Sequence, residues 1–506
     1  MKNLISLMFV FAIMGFYPVK SISAQAFTYF NKIFKPDTMN ILSPAVLTVE
    51  GGYIMATSFN SLDGYEALAI RKIDLTGNTI WFKIAEEGYT LTGIVGGGIL
   101  ERTNDGHFIM VGAKDTIGIS GNLDIIMIKF NGNGDVIWKK THGTSTTVEG
   151  TYQITPTQDG GYIMCGIQRS FSTSNRFYVL KTDSFGNKEW DRVYNPQQHA
   201  SAFSVFETEI GYIVSGYMKY PITDTDMFIM EIDKQGNMIW QKNYGGNEID
   251  LACLALPKTD GNSYFILSAI RENNIRKPFA ANLDTSGNII WSKIYDLEVG
   301  GMNEAPLQPT PDGGFMGIFG YKTEFNKDIP CIWRFSSTGD TLWTRTIKGL
   351  NPNDNWYLKD IDSTSDGGFI FSGFNYSQQS SWVVKTDSLG YTCSFIGCDS
   401  TVVVEVLPGI PSNANQEVSA MVYPVPASTH LNIRYQIPAG ILPYGDVDWR
   451  LYDALGRQVA EETLYGSTGT VQVQVELLPA GVYYYRVVLP ASGQTVAGGK
   501  ILVSEK

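Results

Sequence analysis

Residues 284–291, Asp284-Thr-Ser-Gly-Asn-Ile-Ile-Trp291, decide the fold because the chain repeats their pattern. The form Asp-x-x-Gly-Asn-x-x-Trp also runs from Asp74 to Trp81, Asp183 to Trp190 and Asp233 to Trp240. Weaker copies end at Trp138 and Trp343, and a seventh begins at Asp387 without its Trp. Successive tryptophans lie 57, 52, 50, 51 and 52 residues apart. A second pattern alternates with the first: Asp-Gly-Gly, an aromatic residue and an apolar run, around Tyr162, Phe315 and Phe369, with degenerate copies around Tyr53, Phe108, Tyr212 and Tyr264. A repeat of this length indicates a solenoid or a propeller.

The local chemistry argues for strands. Gly161-Tyr-Ile-Met-Cys165 and Asn288-Ile-Ile-Trp-Ser-Lys-Ile-Tyr295 are short and rich in aromatic and β-branched residues. Asp-Gly between apolar runs forms a hairpin turn, and Asp-x-x-Gly-Asn fits a second one. Each unit therefore supplies four strands, which is one propeller blade, and seven units give a seven-bladed ring. The seventh unit lacks its last strand, but Tyr29-Phe-Asn-Lys-Ile-Phe34 resembles Ile290-Trp-Ser-Lys-Ile-Tyr295. The N-terminal strand is expected to complete blade seven, leaving fewer free edges. The registered tryptophans are expected to pack between blades and hide their indoles there, since a ligand platform rarely needs six equivalent copies. The repeated aspartates read as turn formers, because the pattern lacks the dense oxygen ligands of a calcium loop.

Outward from the repeat, the N-terminus reads as an address. Lys2 precedes an uncharged, mostly apolar run from Leu4 to Phe16, and Ser23-Ala24 offers small residues for a peptidase. Residues 1–24 are expected to be a secretory signal peptide, too short in its apolar run to span a bilayer. Residues 25–398 are assigned to the propeller and residues 399–418, a Val run followed by Pro408, Gly409, Pro411, Asn413 and Asn415, to a linker. Residues 419–506 alternate apolar positions between Gly/Pro turns, as in a small immunoglobulin-like β-sandwich. The fold class is all-β throughout.

This last segment contains Tyr423-Pro-Val-Pro-Ala427, Asp453 with Gly456-Arg457, Leu478-Pro-Ala-Gly-Val-Tyr483 and Lys500-Ile-Leu-Val503. In that order it resembles the type A C-terminal sorting domain of the type IX secretion system, with Val425 where the family usually has Asn. Tyr423, Pro424, Pro426, Asp453, Gly456, Arg457, Gly481, Tyr483 and Lys500 carry the likeness. The whole chain is similar to secreted bacterial repeat proteins that pair such blades with this segment. The resemblance implies passage through the periplasm of a Gram-negative cell and translocation by the type IX machinery. It also implies removal of the domain by a sortase-like surface peptidase, with the cargo surface-anchored or released.

Net charge is −12 over 506 residues, concentrated in the propeller and linker, which argues against nucleic acid as a partner. Four scattered histidines make a histidine-rich metal site unexpected, and no cofactor motif is found. Cys393 and Cys398 fall in a non-repeat loop where a local disulfide is expected; Cys165, Cys253 and Cys331 read as small core residues. A monomer is expected. The uniform hairpins should share one rim, and the variable connections the other, where recognition usually lives. Arg169, Phe171, Tyr220, Arg276, Phe325, Trp356 and Tyr376 are the candidate ligand residues there. The preferred reading is a binding or adhesion module for an extracellular protein or glycan. The competing class is a hydrolase or lyase acting on glycans at the central channel. Paired acids beside Arg or Tyr would favour the enzyme.

Overall fold

The structure is a computed structural model. It describes residues 29–504 apart from 35–38, 62–65, 88–89, 92–97, 116–122, 171–173, 196–198, 221–223, 246–249, 251–253, 259–260, 301–306, 323–327, 348–353, 376–379, 393–399, 404–418, 424–426, 438–446, 454–456 and 490–493. The signal-peptide residues, Cys253 and the Cys393–Cys398 pair lie outside the described residues. Cys165 and Cys331 are buried and free.

Seven antiparallel sheets follow one another along the chain. Their first strands are Met39–Val49, Leu100–Arg102, Thr147–Pro156, His199–Glu207, Leu254–Pro257, Leu307–Pro309 and Trp356–Ser363. All seven line a single cavity, so they are the inner strands of a ring around one axis. The last strands of the first six sheets carry the repeated Trp and form the circumference: Thr79–Glu87, Val136–His142, Lys188–Tyr194, Met238–Tyr244, Ile289–Ile294 and Thr341–Thr346.

The sequence motif explains how one blade grips the next. In the Asp284 turn, Oδ1 accepts the backbone N–H groups of Ser286 (2.9 Å) and Asn288 (2.7 Å). The Asn288 side-chain amide and backbone hold this carboxyl below the usual carboxylate range. Gly287 takes φ +76°, and a Cβ there would stand 2.8 Å from the Trp240 ring of the preceding blade. That ring donates its N–H to the Thr285 carbonyl (2.9 Å). The Tyr244 hydroxyl donates to the Gly287 carbonyl (2.6 Å), and Lys242 reaches Asn288 (2.7 Å). The same seam recurs with Trp190 and Tyr194 on the Gly236 turn, and with Lys293 and Tyr295 on the Gly339 turn. The tryptophans thus pack between blades, but they are half-buried rather than hidden. An outermost strand has only one neighbour to cover each indole.

Closure follows the same rule. Phe30–Phe34 pairs antiparallel with Ser380–Thr386 as the outer strand of blade seven. Phe30 stands against Gly77 of blade one, where other blades place Trp, and Lys32 reaches Asn78 (2.8 Å). Ser400–Val403, assigned above to the linker, instead adds a parallel fifth strand to Phe30–Phe34. Its Thr-Val-Val run has high β-propensity and covers an edge that would otherwise be free.

The C-terminal residues form a separate sandwich. One sheet holds Ser419–Tyr423, His430–Gln436 and Thr468–Gln474; the other holds Gln458–Leu464, Val447–Tyr452, Gly481–Leu489 and Gln494–Val503. Leu431, Ile433, Trp449, Leu451, Val487 and Ile501 fill the space between them.

Candidate functional site

The ring encloses a channel cavity of about 480 Å³. Its lining comes from the part of each inner strand that leads toward the Asp-Gly hairpins. One wall is apolar: Leu100, Tyr152, Phe203, Leu254 and Leu307. Tyr152 and Phe203 meet edge to face with centroids 4.6 Å apart, and Tyr217 packs against Phe203 from behind.

The other wall is acidic, formed by Glu101, Asp360 and Asp362, and its geometry follows from an edge problem. An inner strand has no neighbour on its channel side, so its N–H groups need acceptors from elsewhere. Several inner strands carry a β-bulge just before one residue, at Ala45, Gln153, Ser204 and Asp360. A bulge re-aims the side chain that follows it. Three of these side chains then cross to the next blade. Gln153 accepts the Val205 N–H (3.0 Å), Ser204 accepts that of Ala255 (3.2 Å), and Asp360 accepts that of Val46 (2.9 Å). Asp362 accepts the Thr48 N–H (2.7 Å), whose carbonyl is taken by Arg102 (2.9 Å).

Burial pushes the Asp360 carboxyl up to about 8, against the lowering pull of the Val46 and Ile361 amides. Burial also raises Asp362, and it holds Glu101 well above the usual range with help from the Asp360 and Asp362 charges. Burial therefore disfavours the charged form of all three carboxyl groups, which hold their protons to higher pH than ordinary carboxyls. Glu207 differs: Lys234 (2.5 Å) and the Gln158 N–H (2.7 Å) satisfy it. Among the described residues no group of three or more His, Cys, Asp or Glu side chains could hold a metal ion.

The sequence-predicted rim residues fare unequally. Arg169 is exposed at the end of its strand and Arg276 is half-buried. Tyr220 ends the strand Gly211–Tyr220. Phe171, Phe325 and Tyr376 lie outside the described residues. Trp356 is a correction: it is only 1% exposed, and its indole packs on that of Trp382 with centroids 4.9 Å apart. Blade seven begins at Trp356, inside the stretch read as a loop, and the ring interior claims the side chain. The channel acids were missed because the inner strands share no motif; only the bulge and the crossing to the next blade unite them.

In the C-terminal sandwich the motif residues build turns. Asp453 accepts the backbone N–H (2.9 Å) and Nε (2.7 Å) of Arg457. The buried Tyr483 donates its hydroxyl to the Pro479 carbonyl (2.8 Å), fixing the turn that enters Gly481–Leu489. Ala427 donates its N–H to Leu502 (2.9 Å) and accepts that of Ser504 (2.8 Å), pinning the end of the chain. Tyr423, Arg457 and Lys500 remain exposed. Pro424, Pro426 and Gly456 lie outside the described residues. Residues 421–503 match the family model of the secretion system C-terminal sorting domain. The C-terminal sandwich is a type IX sorting domain.

Beyond the sorting domain, no curated protein matches the chain. Solved structures are similar at low identity. A prolyl endopeptidase is similar over 79% of this chain and 53% of its own, at 10% identity and TM-score 0.43. Prolyl oligopeptidase B from Galerina marginata is similar over 68% and 49%, at 11% identity and TM-score 0.36. An ulvan lyase is similar over 71% and 96%, at 11% identity and TM-score 0.42. The chain spans about half the length of the two prolyl peptidases. At these values the likenesses carry no argument about activity.

Proposed function

We propose that the chain is an exported binding or adhesion protein: a propeller that captures an extracellular protein or glycan, carried to its destination by the sorting domain. The division is residues 1–24 for entry into the export pathway, 25–398 for the propeller, and 419–506 for the sorting domain. The sorting domain engages the type IX translocon, and a sortase-like peptidase then removes it. Supporting the binding reading over a glycan hydrolase or lyase is one observation. The channel acids do lie beside Tyr152 and Arg102, the arrangement expected of an enzyme, but two of the three, Asp360 and Asp362, are bonded to backbone amides that close the ring. They act as staples, and Glu101 is left without a second free carboxylate for acid–base work. The variable rim, with Arg169, Tyr220 and Arg276 and, by their place in the sequence, Phe171, Phe325 and Tyr376, is the recognition face.

The test is to present the purified exported protein to protein and glycan arrays. Alanine at Arg169 and Arg276 is expected to abolish the signal, while changes on the hairpin rim leave it; equal loss from both rims rejects the assignment. Release of new sugar ends from an arrayed glycan, absent in Glu101→Gln, would establish the enzyme instead.

A further inference from the structure

The hairpin joining Ser263–Glu272 to Ile275–Asp284 in blade five turns on Asn273 and Asn274, with φ 52° and 65°. Such a two-residue turn fixes the register tightly. It sets Arg271 directly opposite Arg276. Side chains alternate along a strand, so these two share the face of Leu267 and Ala269. That face meets blade six, where Leu267 packs on Gly317. The opposite face of the hairpin is electrically satisfied: Lys277 lies 3.3 Å from Glu272 and 3.5 Å from Asp296.

The arginine face carries no ion pair among the described residues. Like charges directly opposite each other across a strand pair destabilise it. The Nε of Arg271 and the Nε of Arg276 are both buried without a hydrogen-bond partner. The carboxylate of Asp250 accepts the Arg271 backbone N–H (3.1 Å). Both side chains are half-buried and sit at the variable rim, so a molecule arriving from outside can reach their exposed parts, though not the buried Nε atoms. Burial, and then the charge of Arg271, lowers the proton affinity of Arg276. In a chain of net charge −12, two adjacent cations with unspent buried donors need an explanation.

We propose that Arg271 and Arg276 form an oxyanion site that receives a carboxylate or sulfate group of the propeller's ligand. Two planar guanidinium groups can share one such group through their terminal N–H donors, and the bound charge removes the repulsion between them. The inference rests on the reading of the propeller as a binding module and adds the charge of what it binds.

The experiment follows thermal unfolding of the purified full-length protein in sodium sulfate, and separately sodium acetate, against sodium chloride of equal ionic strength. Sulfate stabilises proteins generally, without saturating. The wild type is expected to show, on top of that, a saturable rise in midpoint of a few degrees. The double variant Arg271→Met, Arg276→Met, which keeps most of each aliphatic stem, is expected to lose the saturable part. The anion that saturates at the lower concentration identifies the preferred group. Identical anion dependence in the two proteins overturns the site. In chloride alone Arg276→Met is expected to unfold at no lower temperature, because it removes a repulsion. A clear drop would show that the guanidinium is satisfied within the protein and would also overturn the site. An array signal that survives both changes removes this site and leaves the binding reading intact.

Discussion

Asp360 shows how one side chain serves two demands. Its carboxyl closes the ring by accepting the Val46 N–H, and burial makes its charged form costly. The folded protein therefore holds a proton that the unfolded chain releases near its ordinary pKa of 3.8. A carboxyl raised in this way contributes stability that is full below about pH 4 and is lost as pH climbs toward 8. Urea midpoints are expected to fall across that window. In Asp360→Asn, whose carbonyl still accepts from Val46, the fall should be shallower, with Glu101 supplying the remainder. Asp360→Ala should cost about 1–3 kcal/mol, because it orphans a buried amide. Equal midpoints for the Asn and Ala variants would mean that the bond to Val46 contributes nothing. None of this was legible in the sequence. Asp360 sits in an unremarked Lys-Asp-Ile-Asp stretch, and its role depends on a bulge and on a strand some 314 positions away. Trp356 misled for a related reason: next to Asn and Pro it reads as loop, and only the ring shows that it starts a strand.

At the scale of an element, the outer strand is the part the sequence described best. Trp, Lys and Tyr at alternate positions face the same way, and each finds its partner in the Asp-x-x-Gly-Asn turn of the next blade. The motif was legible because both halves of the contact repeat together. The degree of burial was not, since a pattern says which residues meet and not how much solvent stays beside them. Trp240→Ala should destabilise by roughly 1.5–3 kcal/mol, less than for a fully enclosed aromatic. Tyr244→Phe should cost about 0.5–1.5 kcal/mol through loss of the bond to the Gly287 carbonyl. Both changes act on the same seam, between blades four and five, so their effects should fall short of additive in chemical denaturation. Strict additivity would show that the indole and the phenol act independently. Gly287→Ala adds strain on top of a clash with the Trp240 ring and should be the worst of the three.

For the whole molecule, both ends of the propeller converge on blade seven: Phe30–Phe34 lies between Ser380–Thr386 and Ser400–Val403. The resemblance of Tyr29–Phe34 to Ile290–Tyr295 made this closure legible, because Phe30 and Lys32 keep the spacing that the seam uses. The extra parallel strand was not legible, since Thr-Val-Val suits an extended linker and an edge strand equally well. The ring is thus tied by its two ends. Removing residues 27–34 should expose the edge of Ser380–Thr386 and uncover Val46, Tyr53, Ile370 and Val383, against which Phe30 and Phe34 pack. An exposed edge of that kind pairs with other chains. Size-exclusion profiles are expected to shift to larger species, with a lower unfolding temperature; a monomer of unchanged stability would contradict closure. Loss of the other end should have the opposite character. The sorting sandwich has its own core and its own sheets, so deleting residues 419–506 leaves the seven blades and their seams complete. That truncated protein should unfold with the propeller's own transition, yet stay inside the cell envelope, where surface proteolysis and antibody labelling of intact cells would miss it. Wild-type labelling of the truncated form would show that the propeller carries its own address, and the division of labour between ring and sandwich would fall.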